Sequence, residues 1–184
     1  MTLPSSAPRP APRIYLAGPD VFYPEARERG RQMQALCASL GLVGLYPLDG
    51  DLSDTEATPL SLRIYQANRQ LIQSADAVVA NLRDFRGFEP DSGTVWEASF
   101  ALALGKPVVG YLPQANSLIE RMAGQHQAGV DADGCTVEDF GLPLNLMLAH
   151  SLSAVAYGAE DGLQGLRAAL LVVRRLLDAG GSPG

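Results

Sequence analysis

Two carboxylates, Asp91 and Glu97, are the groups in this chain best spaced to do chemistry. They lie in the stretch Phe85-Arg86-Gly87-Phe88-Glu89-Pro90-Asp91-Ser92-Gly93-Thr94-Val95-Trp96-Glu97. That stretch follows an apolar run of strand length and enters a helical pattern. Asp91 is therefore expected in a loop and Glu97 in the first helical turn. A carboxylate held in its ionised form is a nucleophile, and a helix N-terminus favours the charged form. Attack on an anomeric carbon would give a covalent glycosyl–enzyme intermediate, which a second acceptor then resolves. A plainer role competes. Thr94-Val95-Trp96-Glu97 has the spacing of a capping box, with Glu97 reaching back to the Thr94 amide. Taken alone, the tetrapeptide favours capping over catalysis. Trp96, the only tryptophan, reads first as a core residue.

Other polar groups carry similar double readings. Tyr15 lies inside an apolar run, as a core aromatic with a satisfied hydroxyl or as a phenol that holds Glu97. Gly18-Pro19-Asp20-Val21-Phe22 is a turn in which glycine allows close approach of a ligand, although such a turn needs these residue types anyway. It is not a GxGxxG fingerprint, so a dinucleotide site is not supported. Asn68 is a poor helix former in a helical pattern, and either reads a nucleobase edge or is simply exposed. Asp76 reads as a cap. His126 and His150 fall near no acid pair. Asn145, in Gly141-Leu142-Pro143-Leu144-Asn145-Leu146-Met147-Leu148, reads as a helix cap.

These residues need a scaffold. Five apolar runs have strand length: Arg13–Ala17, 42–46, 77–82, 107–112 and Ala154–Tyr157. Their continuity indicates strands buried on both faces. Helical patterns cover 24–40, Leu60–Ser74, 94–104 and 163–179, with a short one at 144–149. Alternation of this kind predicts an α/β fold: a flavodoxin-like or Rossmann-like, doubly wound, five-stranded parallel sheet with helices on both faces. Ligands of such sheets sit beyond the carboxyl ends of the strands. That rule nominates residues 18–22, 47–51 and 81–93 and the loop after Leu112, and with them Asp49 and Asn81. Residues 1–12 read as a flexible Pro-rich tail, 13–179 as one domain and 180–184 as a flexible end.

Composition narrows the function classes. Of 184 residues, 47% are apolar and 18% charged, which excludes global disorder. Twenty acids against 14 bases give a formal charge of −6, which disfavours a nucleic-acid polymer as partner. Two cysteines, Cys37 and Cys135, and two histidines make neither a disulfide framework nor a thiolate zinc site. The expectation is no metal and no cofactor. No segment reaches the ~18 apolar residues of a membrane helix, and the N-terminus lacks the pattern of a signal peptide. A cytoplasmic location without membrane contact is expected.

Taken together, the residues resemble the nucleoside 2-deoxyribosyltransferases. Four blocks carry the likeness in order: Ile14-Tyr15-Leu16-Ala17-Gly18-Pro19-Asp20-Val21-Phe22; Asn68 through Phe85-Arg86-Gly87; Glu89 to Glu97 with Ala103-Leu104-Gly105-Lys106-Pro107; and Gly141 to Met147. The resemblance implies that Glu97 is the nucleophile, that Tyr15 orients it, and that Asp91 holds the deoxyribose hydroxyls. It places Phe22 in the base pocket and Asn145, accompanied by Met147, in the neighbouring subunit's site. Gly18, Asp49, Asn68 and Asn81 complete the expected substrate contacts. Some members carry an aspartate where this chain has Asn68. An amide can hydrogen-bond a base but does not deliver a proton in the usual way, so Asp49, Asp20, water or solvent are left as proton sources. Ser99 stands where many members have glycine.

The expected activity is a ping-pong transfer of 2-deoxyribosyl groups between nucleobases through a deoxyribosyl–Glu97 ester, with net retention. The expected partners are 2′-deoxynucleosides, free bases and further copies of the chain in a dimer or hexamer. Two alternatives remain. One is a hydrolase of deoxynucleoside 5′-monophosphates, disfavoured because Asp20 would repel a phosphate if it pointed inward and Pro19 offers no amide. The other is a non-catalytic nucleotide-binding protein.

Overall fold

The computed structural model describes residues 10–50, 58–158 and 163–180. The expected tail apart from residues 10–12, Asp51 of the nominated loop, and residues 181–184 of the expected flexible end lie outside these residues, while Gly180 belongs to the last helix. The central sheet contains β1 (Arg13–Ala17), β2 (Val43–Leu45), β3 (Ala77–Asn81), β4 (Val108–Leu112) and, after the two-residue strands β5 (His126–Gln127) and β6 (Val130–Asp131), β7 (Ala154–Tyr157). Its order is β2-β1-β3-β4-β7, with every pair parallel. This is the flavodoxin-like order, and the chain reverses direction across the sheet between β1 and β3. β5 and β6 form a separate antiparallel pair. There His126 accepts the Gly129 amide at its Nδ1, a structural role.

Six α-helices occur among the described residues: α1 (Ala26–Ser39), α2 (Leu60–Ser74), α3 (Ser92–Ala103), α4 (Leu118–Arg121), α5 (Leu146–Ser151) and α6 (Leu163–Gly180). On one side of the sheet, α1 and α6 pack on Ile14, Leu16, Val79, Val109 and Tyr111. Leu166, Ala169, Leu170 and Val173 form the buried stripe of α6, at the spacing of one helical face. On the other side, α2, α3 and α5 cover Tyr15, Ala17, Val78, Ala80, Leu82 and Val108. Alternate residues of each strand thus enter opposite cores, which explains the continuous apolar runs.

The differences from expectation are local. β2 ends at Leu45 because Pro47 opens a 3-10 turn, Pro47–Asp49, closed by the Asp49 side chain on the Tyr46 amide. Residues 24 and 25 precede α1. The short helix shifts from 144–149 to Leu146–Ser151, because Asn145 caps it. Asp76 accepts the Arg13 amide rather than capping a helix. Trp96 is 42% exposed and not a core residue. It stacks on Phe100 at 5.2 Å and lies 5.4 Å from Tyr65, on the outer face of α2 and α3.

Candidate active site

Asp91 is the N-cap of α3. Its Oδ2 accepts both the Thr94 amide and the Thr94 hydroxyl at 2.9 Å. The helix therefore starts at Ser92, two residues earlier than the sequence pattern indicates. The expected Thr94–Glu97 capping box is absent, since Asp91 already satisfies the Thr94 amide. Glu97 accordingly lies in the second helical turn rather than the first, facing the sheet.

Glu97 meets Tyr15 there. The Tyr15 hydroxyl donates to Glu97 Oε1 at 2.6 Å, joining positions 82 residues apart. Tyr15 is fully buried in β1, so the strand fixes its ring while α3 fixes the carboxylate. Asn68 reaches in from α2, and its Nδ2 donates to the same oxygen at 3.5 Å. The Asn68 Oδ1 is buried without a partner. A buried acceptor left open costs about 1–3 kcal/mol, which an N–H or O–H of a ligand would recover.

Burial pushes the Glu97 carboxyl up to about 7. The Tyr15 bond acts against this, Asp91 adds repulsion, and the Asn68 amide lowers the value slightly. The expectation that the helix N-terminus keeps Glu97 ionised is thus corrected. The dipole falls off within the first turn, and desolvation dominates in the second. The Tyr15 phenol is pushed far up, first by burial and then by the Glu97 charge and hydrogen bond, so it remains a donor.

A second cluster lies where β1 and β3 end. Asp20 is 3% exposed; its Oδ1 accepts from Arg29 at 2.8 and 3.1 Å, and its Oδ2 from Asn81 at 2.9 Å. Gly18 runs beside it. A Cβ there would come within 2.8 Å of the Asn81 Cβ, so glycine is required by space. Asp20 is thus committed to an ion pair with Arg29 and a hydrogen bond from Asn81. Asp49 is exposed, and its Oδ2 is held by Gln34 at 2.6 Å and the Tyr46 amide at 2.8 Å.

Phe22, 55% exposed, stacks on Phe85 with centroids 5.2 Å apart. The Arg86 guanidinium lies 5.4 Å from the first ring and 4.7 Å from the second. Arg86 has φ of 57°, an uncommon conformation for a side-chain-bearing residue. Phe85 and Arg86 were legible in sequence only as parts of a block, because nothing in the spacing brings them to Phe22.

Asn145 caps α5 by accepting the Met147 amide at 3.0 Å and donates to Glu138 at 2.7 Å. Met147 is 73% exposed. Among the described residues, no hydrogen bond joins Asp49, Asn145 or Met147 to Glu97. The structure therefore brings Tyr15, Asn68, Asp91 and Glu97 together and places Gly18 and Asn81 with Asp20, while Phe22 pairs with Phe85 and Asn145 with Glu138. No group of three potential metal ligands occurs among the described residues.

A doubly wound parallel sheet thus carries a hydrogen-bonded Tyr15–Glu97 pair beside an N-capping aspartate, an α/β scaffold. The chain belongs to the nucleoside 2-deoxyribosyltransferase family, whose model matches residues 14–147. It is similar to a 2-desoxiribosyltransferase from Leishmania mexicana, at 32% identity and a TM-score of 0.68, covering 89% of this chain and 97% of that one. A 2-deoxyribosyltransferase from Bacillus psychrosaccharolyticus shares the fold at 24% identity and a TM-score of 0.53, covering 82% and 89%. An uncharacterised protein of Schizosaccharomyces pombe is 28% identical over 168 residues, 80% of each chain.

Proposed function

We propose that this protein transfers 2-deoxyribosyl groups between nucleobases, with Glu97 as nucleophile. The observation that carries the reading is the Tyr15–Glu97 hydrogen bond, which aims one carboxylate oxygen and leaves the other free to attack. Glu97 forms a bond to C1′ as the C1′–N bond breaks, and the electron pair leaves with the base. The resulting ester persists until a second base attacks C1′ and displaces Glu97. Two inversions give net retention. Water competing for the ester would give slow hydrolysis, so the site must exclude it.

Asp91 keeps Oδ1 free of the cap and is suited to accept sugar hydroxyls. Asn68 presents an acceptor beside the reacting centre, while Phe22 with Phe85 offers a flat apolar wall to a base. A proton for the leaving base comes from water or solvent on this reading. Asn145 serves a neighbouring subunit, which makes the working form a homo-oligomer. Free thiols at Cys37 and Cys135 suit a cytoplasmic location. No helix among the described residues is long and apolar enough to cross a membrane.

The test is Glu97→Gln with deoxyinosine and adenine. Base exchange is expected to fall by at least about 10³-fold, and undiminished exchange would sink the assignment. Two observations favour a second reading, hydrolysis of deoxynucleoside monophosphates: Asp20 is paired with Arg29, and Arg86 pairs with no carboxylate among the described residues. Product formation from a nucleoside and its monophosphate, with and without acceptor base, separates the two.

A further inference from the structure

α4 is only four residues long, yet its last side chain ties two distant segments together. The Arg121 side chain is 10% exposed. Its Nη1 donates to the Asp84 carboxylate and to the Phe88 carbonyl, the latter at 3.1 Å. Its Nη2 donates to the Pro143 carbonyl at 2.7 Å. Asp84 and Phe88 belong to the loop that ends at Asp91. Pro143 lies two residues before Asn145. The Leu118 amide strengthens the same seam by donating to the Leu142 carbonyl at 2.8 Å. Glu138 then fixes the far end, accepting from the Asn145 amide group at 2.7 Å and from the Leu146 backbone at 2.9 Å.

We propose that Arg121 is a positioning residue that sets the distance between the Asp91 loop and the Asn145 segment. This rests on the transferase reading, in which Asp91 serves its own site and Asn145 the next subunit's. Arg121 touches no reacting atom. Its contribution is geometric: three acceptors on two segments require the planar guanidinium fork, which an ammonium on a single stem cannot reproduce. A cavity of about 210 Å³ lined by Arg83, Asp84, Leu112, Pro113, Gln114 and Arg121 opens onto that fork. The Tyr15–Glu97 pair is held by the packing of α3 on β1 and makes no bond to Arg121. Sugar binding should therefore suffer before bond-making does.

The experiment measures KM and kcat for deoxyinosine–adenine exchange in full-length Arg121→Ala and Arg121→Lys, beside the native protein. In both variants KM is expected to rise about tenfold or more while kcat stays within about threefold. Millimolar guanidinium, entering through the cavity, should restore KM in Arg121→Ala. Native KM in either variant, or a fall in kcat alone, would overturn the proposal. If Arg121→Ala does not fold, Arg121→Lys decides, since it keeps the charge facing Asp84 and loses the bridge. Amide hydrogen exchange on Arg121→Lys gives a readout independent of turnover. Faster exchange in both 84–91 and 142–147 supports the clasp, and faster exchange confined to 118–121 refutes it. Absence of exchange activity in the native protein would count against the transferase reading instead, and the amide measurement would still judge Arg121.

Discussion

Among single residues, the ionisation of Glu97 decides whether the proposed attack occurs. An attacking carboxylate must be charged, and burial holds this one up to about 7. Below that pH it carries a proton, so kcat/KM is expected to climb as pH rises through about 7. The Tyr15 hydroxyl opposes the burial effect, so its removal sends the Glu97 value higher. Tyr15→Phe should therefore move the acidic limb of the pH–rate profile to higher pH and lower the rate at neutral pH by about tenfold or more. Asn68→Ala should shift the same limb less, because its bond is 3.5 Å against 2.6 Å. The same linkage predicts a stability effect. Folding raises the Glu97 value from 4.5, so protonation favours the fold at low pH and that contribution is lost as pH rises through about 7. Glu97→Gln should be near neutral at about pH 4 and stabilise by on the order of 3 kcal/mol at about pH 8. Denaturant midpoints at the two pH values check this.

At the scale of elements, apolar runs placed the five strands of the main sheet and α2, since buried parallel strands and amphipathic helices write their periods into the sequence. Caps were less legible. Thr94-x-x-Glu97 and Asp91-x-x-Thr94 are both plausible N-termini, and only the packing of α3 on β1 selects the second by turning Glu97 toward Tyr15. The Phe22–Phe85 wall and the Arg121 clasp stayed hidden because each joins loops with no shared periodicity. Asp91 is a cap, and variants can separate that from the sugar-binding role proposed for it. Asp91→Ala should cost about 1 kcal/mol through the lost cap and also abolish sugar binding. Asp91→Ser keeps a capping oxygen, so its thermal midpoint should stay near native while KM for the deoxynucleoside rises steeply. Equal activity in native protein and Asp91→Ser would remove Asp91 from the site.

At the scale of the whole molecule, composition defined a globule of net charge −6 but said little about how its acids are used. The structure shows three kinds of carboxylate: Glu97 half-buried against a phenol, Asp20 paired with Arg29, and Asp91 committed to a cap with one oxygen to spare. Exposed aromatics are distributed unevenly. Tyr65 and Trp96 lie exposed on α2 and α3 around the half-buried Phe100, with Arg69 over the Tyr65 and Phe100 rings, while Phe140 lies bare, as does the apolar Met147 of α5. A homo-oligomer would cover such surfaces, and sedimentation equilibrium should return a multiple of 19.5 kDa. A fully active monomer would contradict the role given to Asn145. The central claim is the covalent step, and intact-mass measurement after rapid quenching of the protein with deoxyinosine, in the absence of acceptor base, tests it most directly. A species heavier by one deoxyribosyl residue is expected, located to Glu97 by peptide mapping and lost in Glu97→Gln. Base exchange that proceeds with no such species, and that survives in Glu97→Gln, would contradict it.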